Sequence, residues 1–123
     1  MKPLKEYPRV RQREGEPRRR WFTSPDMDLY IWFDTADEPI GFQFCYDKGH
    51  SEHALTWFAD RGFSHMRIDA GEPAGALHHK HSPVLTLNGI IDIARIETLF
   101  RQASDHLPEP LVQFVLERLT SYT

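Results

Sequence analysis

Short runs rich in aromatic and β-branched residues follow one another from Arg19 to Asp69, and this pattern most restricts the fold. Clusters of Pro, Gly, Asp and Ser separate the runs. Successive side chains of a strand point to opposite faces, so such runs are typical of strands with one apolar face. The sequence therefore predicts five strands, at 19–23, 28–34, 39–46, 53–58 and 63–69.

The connections between these strands are short, so consecutive strands should pair antiparallel with a register set by the loop length. The loops at 35–38, 47–52 and 59–62 predict these cross-strand pairs: Phe33–Ile40, Ile31–Phe42, Leu29–Phe44, Phe44–Leu55, Phe42–Trp57, Leu55–Met66 and Trp57–Ser64. With this register one face is almost entirely apolar and comprises Leu29, Ile31, Phe33, Phe42, Phe44, Leu55, Trp57, Met66 and Ile68.

Two helical patterns follow a Pro- and Gly-rich stretch and a sixth strand or extended segment at 84–87. Apolar residues recur three and four apart from Ile90 to Leu107, and a second apolar stripe begins after Pro110. Two amphipathic helices need an apolar surface to cover, and the apolar sheet face needs a cover. The predicted fold class is therefore α+β, an antiparallel meander of about five strands followed by two C-terminal helices packed on one face.

The N-terminal segment differs from the rest of the chain in charge. Residues 1–20 hold eight Lys or Arg and three Glu, a net charge of +5, whereas the remaining 103 residues carry −8. Residues 1–17 also contain three Pro and few large apolar residues, so the prediction is a disordered basic tail followed by a single domain at 18–123. Such a tail favours binding of nucleic acid, with Trp21 and Phe22 stacking on bases. Its three glutamates weaken phosphate binding, so this function ranks third.

The second face of the predicted sheet is the candidate functional surface. Four aromatic residues there mix with polar side chains, which is typical of a binding patch or a subunit contact rather than of a solvated face. Trp32 lies opposite Gly41, and its ring is expected to shield the glycine backbone. The ligand- or partner-binding residues predicted on this face are Tyr30, Trp32, Gln43, Thr56, His65 and Arg67.

Histidines supply an alternative site. A metal site for zinc or nickel would use loop histidines, and Asp47 and Glu52 lie close to His50 and His53 in the sequence. The candidate ligands are His50, His53, His78, His79 and His81. Cys45 with His65 on the same face is a weaker candidate for a nucleophile and its base, since a thiol in the middle of a sheet is more often a small apolar side chain.

Five segments serve as family markers: RRWF at 19–22, DL at 28–29, GFQFCYDK at 41–48, ALTW at 54–57 and GFSHMR at 62–67. In them, and from Arg18 to the last helix, the chain resembles a family of short uncharacterised bacterial proteins. The resemblance implies a bacterial, cytoplasmic source and no catalytic residue.

The function predicted first is a small binding or interaction domain without catalysis or a cofactor of its own, which uses the second sheet face. Its partner is expected to be a small ligand or a protein, a second copy of the chain included. A metal-binding protein or metal-dependent enzyme ranks second and nucleic-acid binding third. No apolar run reaches the ~20 residues of a membrane-spanning helix, so no membrane partner is expected.

Overall fold

A computed structural model describes residues 2–49, 51–67 and 91–122. These residues form one antiparallel sheet in which every strand pairs with the next along the chain. The strands are β1 (Lys5–Tyr7), β2 (Arg18–Thr23), β3 (Asp28–Phe33), β4 (Pro39–Tyr46), β5 (His53–Phe58) and β6 (Gly62–Arg67), and the helices are α1 (Ile93–Ala103) and α2 (Glu109–Thr120). The α+β class, the meander and the two C-terminal helices are confirmed, and the segment at 84–87 lies outside the described residues.

The two helices cover one face of the sheet, which we call the helix-covered face. Phe100 of α1 meets Phe44 edge to face at 5.9 Å between ring centroids, and Phe114 of α2 meets Phe42 in the same way at 6.1 Å. These four rings are buried, so apolar area removed from water holds the helices on the sheet. The pairs Leu29–Phe44, Ile31–Phe42, Phe44–Leu55 and Phe42–Trp57 are all confirmed.

The helix ends follow from local chemistry. The side chain of Asp92 accepts a hydrogen bond from the Arg95 backbone N–H at 3.0 Å, which caps α1, and α1 ends at Ala103, four residues before the predicted end at Leu107. Pro110 lies in the first turn of α2, where a missing N–H costs nothing. Neither helix is long and apolar enough to cross a membrane.

The sheet has six strands rather than five, because part of the segment expected to be disordered joins it. Lys5–Tyr7 pairs with β2, with Tyr7 opposite Trp21. Leu4 is fully buried in the core, and its backbone N–H donates to the Ala103 carbonyl at 2.9 Å. In the structure one buried leucine and a three-residue ladder attach these residues to the fold, whereas the sequence predicts a disordered tail at 1–17.

The predicted register of β6 is wrong by one residue. Leu55 lies opposite His65 and Trp57 opposite Phe63, instead of Met66 and Ser64. The cause is Gly62, whose φ of 78° lets it pair with Phe58 directly, so the loop holds three residues instead of four. A one-residue slip exchanges the faces of a strand. Phe63, His65 and Arg67 therefore belong to the helix-covered face, and Met66 to the other.

A second correction concerns the start of β4. A bulge between Trp32 and Phe33 places Phe33 opposite Pro39, not Ile40. Ile40 packs against the cluster of Tyr30, Trp32 and Phe58 on the other face. The extra residue of a bulge turns the following side chains to the opposite side, which loop length alone does not reveal.

Candidate binding site on the aromatic face

Five rings follow one another across the face of the sheet that the helices leave free. We call this set the aromatic row; it consists of Tyr7, Trp21, Tyr30, Trp32 and Phe58. Its successive ring centroids lie 4.9, 5.7, 6.1 and 5.1 Å apart. Trp21 and Tyr30 are parallel to within 2°, so their faces stack.

Most of the aromatic row is buried, contrary to what an open binding patch requires. Tyr30 is 7% exposed, and Trp32 and Gln43 are 0% and 1% exposed. Gln43 donates from Nε2 to Oγ1 of the half-buried Thr56 at 3.1 Å. The structure thus brings four predicted binding residues together, but it buries three of them as a second packed layer.

The ring that shields Gly41 is Phe58, not Trp32. A Cβ atom built on Gly41 would lie 2.3 Å from a ring carbon of Phe58, closer than any real contact. Trp32 lies on the opposite neighbouring strand and packs against Phe58 instead. The glycine is required here by close approach, because its backbone conformation is ordinary.

The accessible end of the aromatic row is at β1 and β2. Tyr7 is 43% exposed and is the one large apolar side chain above a third exposed in the described part of the chain. Trp21 beside it is half-buried, and its indole Nε1 donates to Oδ1 of Asp28 at 2.9 Å. The same oxygen accepts from Thr23 Oγ1 at 2.6 Å, and the other carboxylate oxygen of Asp28 pairs with Lys48 at 3.1 Å. Asp28 therefore holds the Trp21 ring in one orientation.

Cationic side chains surround this exposed end. Arg19 is buried, lies 5.7 Å over the Tyr30 ring and donates from Nε to the Arg11 carbonyl at 3.0 Å. Gln12 pairs through its side-chain amide with both the N–H and the carbonyl of Arg19, at 2.9 and 2.8 Å. These bonds extend the edge ladder of β2 beyond β1, so the basic segment runs alongside β2.

Five cations of this segment are exposed and form no ion pair or side-chain hydrogen bond with any residue in the described ranges. They are Lys2, Lys5, Arg9, Arg11 and Arg13. Among the nearby glutamates, Glu6 is neutralised by Arg20, which donates to both of its carboxylate oxygens at 2.8 and 2.7 Å. The guanidinium lowers the pKa of Glu6, so this carboxylate stays ionised and paired. The segment keeps a surplus of positive charge beside Tyr7.

His65 and Arg67 do not share a face with Gln43, which corrects the predicted site. His65 lies on the helix-covered face, where Tyr46 Oη and His65 Nε2 share a hydrogen bond at 2.5 Å. The ring of His53 stacks on that of His65 at 5.1 Å, and Arg67 lies opposite His53. Nδ1 of His65 is buried and has no hydrogen-bond partner among the described residues.

Burial sets the protonation states of this histidine cluster. Burial raises the pKa of Tyr46 to about 12, so the phenol keeps its proton. Burial, and next the neighbouring His53, lowers the pKa of His65 to about 4, so its imidazole is neutral at pH 7. A cavity of about 320 Å³ beside Tyr46 is also lined by Asp47 and Arg95, which form an ion pair.

The neutral His65 makes stability depend on pH. The unfolded chain binds a proton at this histidine near pH 6.5 and the folded chain only near pH 4, so the contribution of His65 is complete above pH 6.5 and is lost as the pH falls towards 4. We expect His65 to account for about 2 kcal/mol of lost unfolding free energy between pH 7 and pH 5. Urea denaturation of wild type and of His65→Phe at both pH values measures this contribution to the unfolding free energy.

The control for this titration is His106→Phe, which removes an exposed histidine. The unfolding free energy lost between pH 7 and pH 5 should be smaller in His65→Phe than in wild type, and equal to wild type in the control. Equal losses in all three proteins would contradict the assignment.

Four of the five histidines predicted as metal ligands remain to be placed. His50, His78, His79 and His81 lie outside the described residues. Within the described ranges no group of three or more His, Cys, Asp or Glu side chains could hold a metal ion. Zinc or nickel binding by the loop histidines therefore stays a prediction.

The pairing of Cys45 with His65 is wrong, because the register places them on opposite faces. Cys45 is fully buried beside Ala54 and Met66. Burial raises the pKa of its thiol well above the usual value, and the nearby Asp28 carboxylate raises it further. A protonated, buried thiol is a packing residue rather than a nucleophile.

Comparisons of the chain with protein-family models, with curated proteins and with solved structures gave no match. The site is consequently assigned from its own geometry.

Two residues at the exposed end carry no signal in the sequence. Tyr7 falls in the segment predicted to be disordered, because a three-residue strand between Pro3 and Pro8 is too short for an alternating pattern. Asp28 is predicted only as the start of a strand, and nothing in the sequence indicates that its carboxylate orients Trp21. Phe22, the expected base-stacking partner of Trp21, is buried in the core at 1% exposure.

Proposed function

We propose that this chain is a binding domain, without catalysis of its own, that takes an extended polyanion along residues 2–13. The observation that carries the proposal is the set of five exposed cations without an ion pair to any described residue, beside the accessible end of the aromatic row. Binding thus uses the aromatic side of the sheet, at its β1–β2 edge instead of its centre. We place the protein in the bacterial cytoplasm, where polyanions are abundant.

The charge distribution supports this edge over the rest of the surface. Three exposed arginines elsewhere are engaged with carboxylates of the chain: Arg18 with Asp37, Arg61 with Asp60, and Arg101 with Glu97. A polyanion that bound there would first have to displace an internal partner. At residues 2–13 five cations have no carboxylate partner in the described ranges, and release of their counterions favours binding.

Long-chain inorganic polyphosphate tests the proposal, because it offers negative charge without any base. We expect binding at low salt, with an association constant that falls steeply as salt is added. A triple variant with Lys5→Ala, Arg9→Ala and Arg13→Ala should bind at least tenfold more weakly, since each lost contact removes part of the electrostatic attraction.

The matched control carries Arg61→Ala, Arg95→Ala and Arg101→Ala, which remove three exposed arginines that already have carboxylate partners. It should bind like wild type. Absence of polyphosphate binding at low salt, or equal weakening in the control, would overturn the proposal.

A further inference from the structure

We propose that the polyanion is single-stranded nucleic acid, whose bases stack on Tyr7 and Trp21; this inference rests on the proposed function. Charge alone does not explain why the one strongly exposed aromatic side chain in the described residues lies among the unpaired cations. Tyr7 is 43% exposed and its ring is 4.9 Å from that of Trp21, tilted by 50°. An accessible ring beside a positively charged backbone track is the arrangement that binds unpaired bases.

Contacts within the protein orient the Trp21 ring before any ligand binds. The Trp21 ring stacks on Tyr30, and its indole N–H is fixed by the buried carboxylate of Asp28 at 2.9 Å. Arg19 lies over the Tyr30 ring behind it. Because these contacts orient the Trp21 ring in advance, stacking a base on it loses little side-chain entropy.

Cations lie where the phosphates of a stacked strand would run. Lys5 and Tyr7 are two residues apart in β1 and thus project from the same face of the sheet. The Arg11 carbonyl accepts a hydrogen bond from Nε of Arg19, whose guanidinium lies over the Tyr30 ring, so the basic segment passes beside the other end of the stacked pair. The rings therefore lie between two sources of positive charge.

Single strands fit this surface better than a duplex. Bases of a duplex are stacked on each other, so their faces cannot reach Tyr7, whereas the faces of unpaired bases can. A groove-reading helix is also absent from the described ranges. The last-turn arginine of α2, Arg118, lies inward over Trp57, and Arg95 and Arg101 of α1 are paired with carboxylates.

Three probes separate stacking from charge: fluorescently labelled single-stranded oligothymidine, the same sequence in a duplex with oligoadenosine, and inorganic polyphosphate. We expect wild type to bind the single strand more tightly than the duplex. Tyr7→Ala should weaken binding of oligothymidine about tenfold and leave polyphosphate binding unchanged. Tyr7→Phe keeps the ring and should bind like wild type.

Salt dependence supplies a second readout. Lys5→Ala should lower the slope of log affinity against log salt for the single strand by about 0.7, whereas Tyr7→Ala should leave the slope unchanged, since it removes no phosphate contact. Circular dichroism at the assay temperature verifies that the Tyr7→Ala protein is folded.

The outcomes separate the two proposals. Equal affinity for single strand and duplex, or equal weakening of oligothymidine and polyphosphate binding in Tyr7→Ala, would overturn base stacking and leave polyanion binding standing. Failure of every probe to bind would overturn both.

Discussion

Replacing Leu4 by alanine is expected to lower the free energy of unfolding by about 2–5 kcal/mol. The side chain is 0% exposed and lies in the same core cluster as Phe22 and Phe100. Its loss leaves a cavity at the place where β1 is attached to α1 through the bond from the Leu4 N–H to the Ala103 carbonyl. Urea denaturation followed by circular dichroism measures the change.

Lys2→Ala is the matched control, because it shortens an exposed side chain two residues away. It should shift the urea midpoint very little. Deleting residues 1–7 removes the whole strand and should cost more than Leu4→Ala. If Leu4→Ala were as stable as the control, residues 2–7 would not belong to the folded core, and the original expectation of a loose tail would stand.

Gly41→Ala is expected to lower the unfolding free energy by about 3 kcal/mol, because the added methyl group meets the Phe58 ring at 2.3 Å. The ring cannot simply move aside. It is 5% exposed, packs against Trp32 at 5.1 Å, and carries the Arg61 guanidinium 4.7 Å over its face.

A double-mutant cycle tests this cause directly. Phe58→Ala alone should cost about 3–5 kcal/mol through the lost apolar contacts. Adding Gly41→Ala to the Phe58→Ala protein should then cost little, because the atoms that clash are gone. Equal costs of Gly41→Ala in both backgrounds would show that the glycine is needed for some other reason than the ring.

The helix-covered face was predictable because its evidence is local. Leu29, Ile31, Phe42 and Phe44 alternate along strands joined by a short loop, and the same pattern requires the helices that cover them. Each of those inferences uses residues close together in the sequence.

The errors arose where one residue changes the geometry. Gly62 in a left-handed conformation shortened a turn by one residue and moved His65 to the other face, next to Tyr46. A Gly at a turn is compatible with several turn types, so the sequence alone does not choose between the two registers.

Leu4 escaped prediction for a different reason. It is an isolated apolar residue in a polar segment, and its backbone partner Ala103 lies near the other end of the chain. The sequence does not predict burial of the aromatic row either. Aromatic residues in a strand are equally compatible with a packed layer and with a ligand-binding surface. Only Tyr7, at the edge, remains strongly exposed.

The chain-order arrangement of the sheet has a consequence for biosynthesis. Each strand pairs with its neighbour in sequence, so the sheet can assemble while the ribosome is still translating the later part of the message. The helices that cover Phe42 and Phe44 follow all six of these strands in the sequence. A nascent chain therefore exposes this apolar sheet face until α2 has emerged from the ribosome, and during that interval it is prone to aggregation.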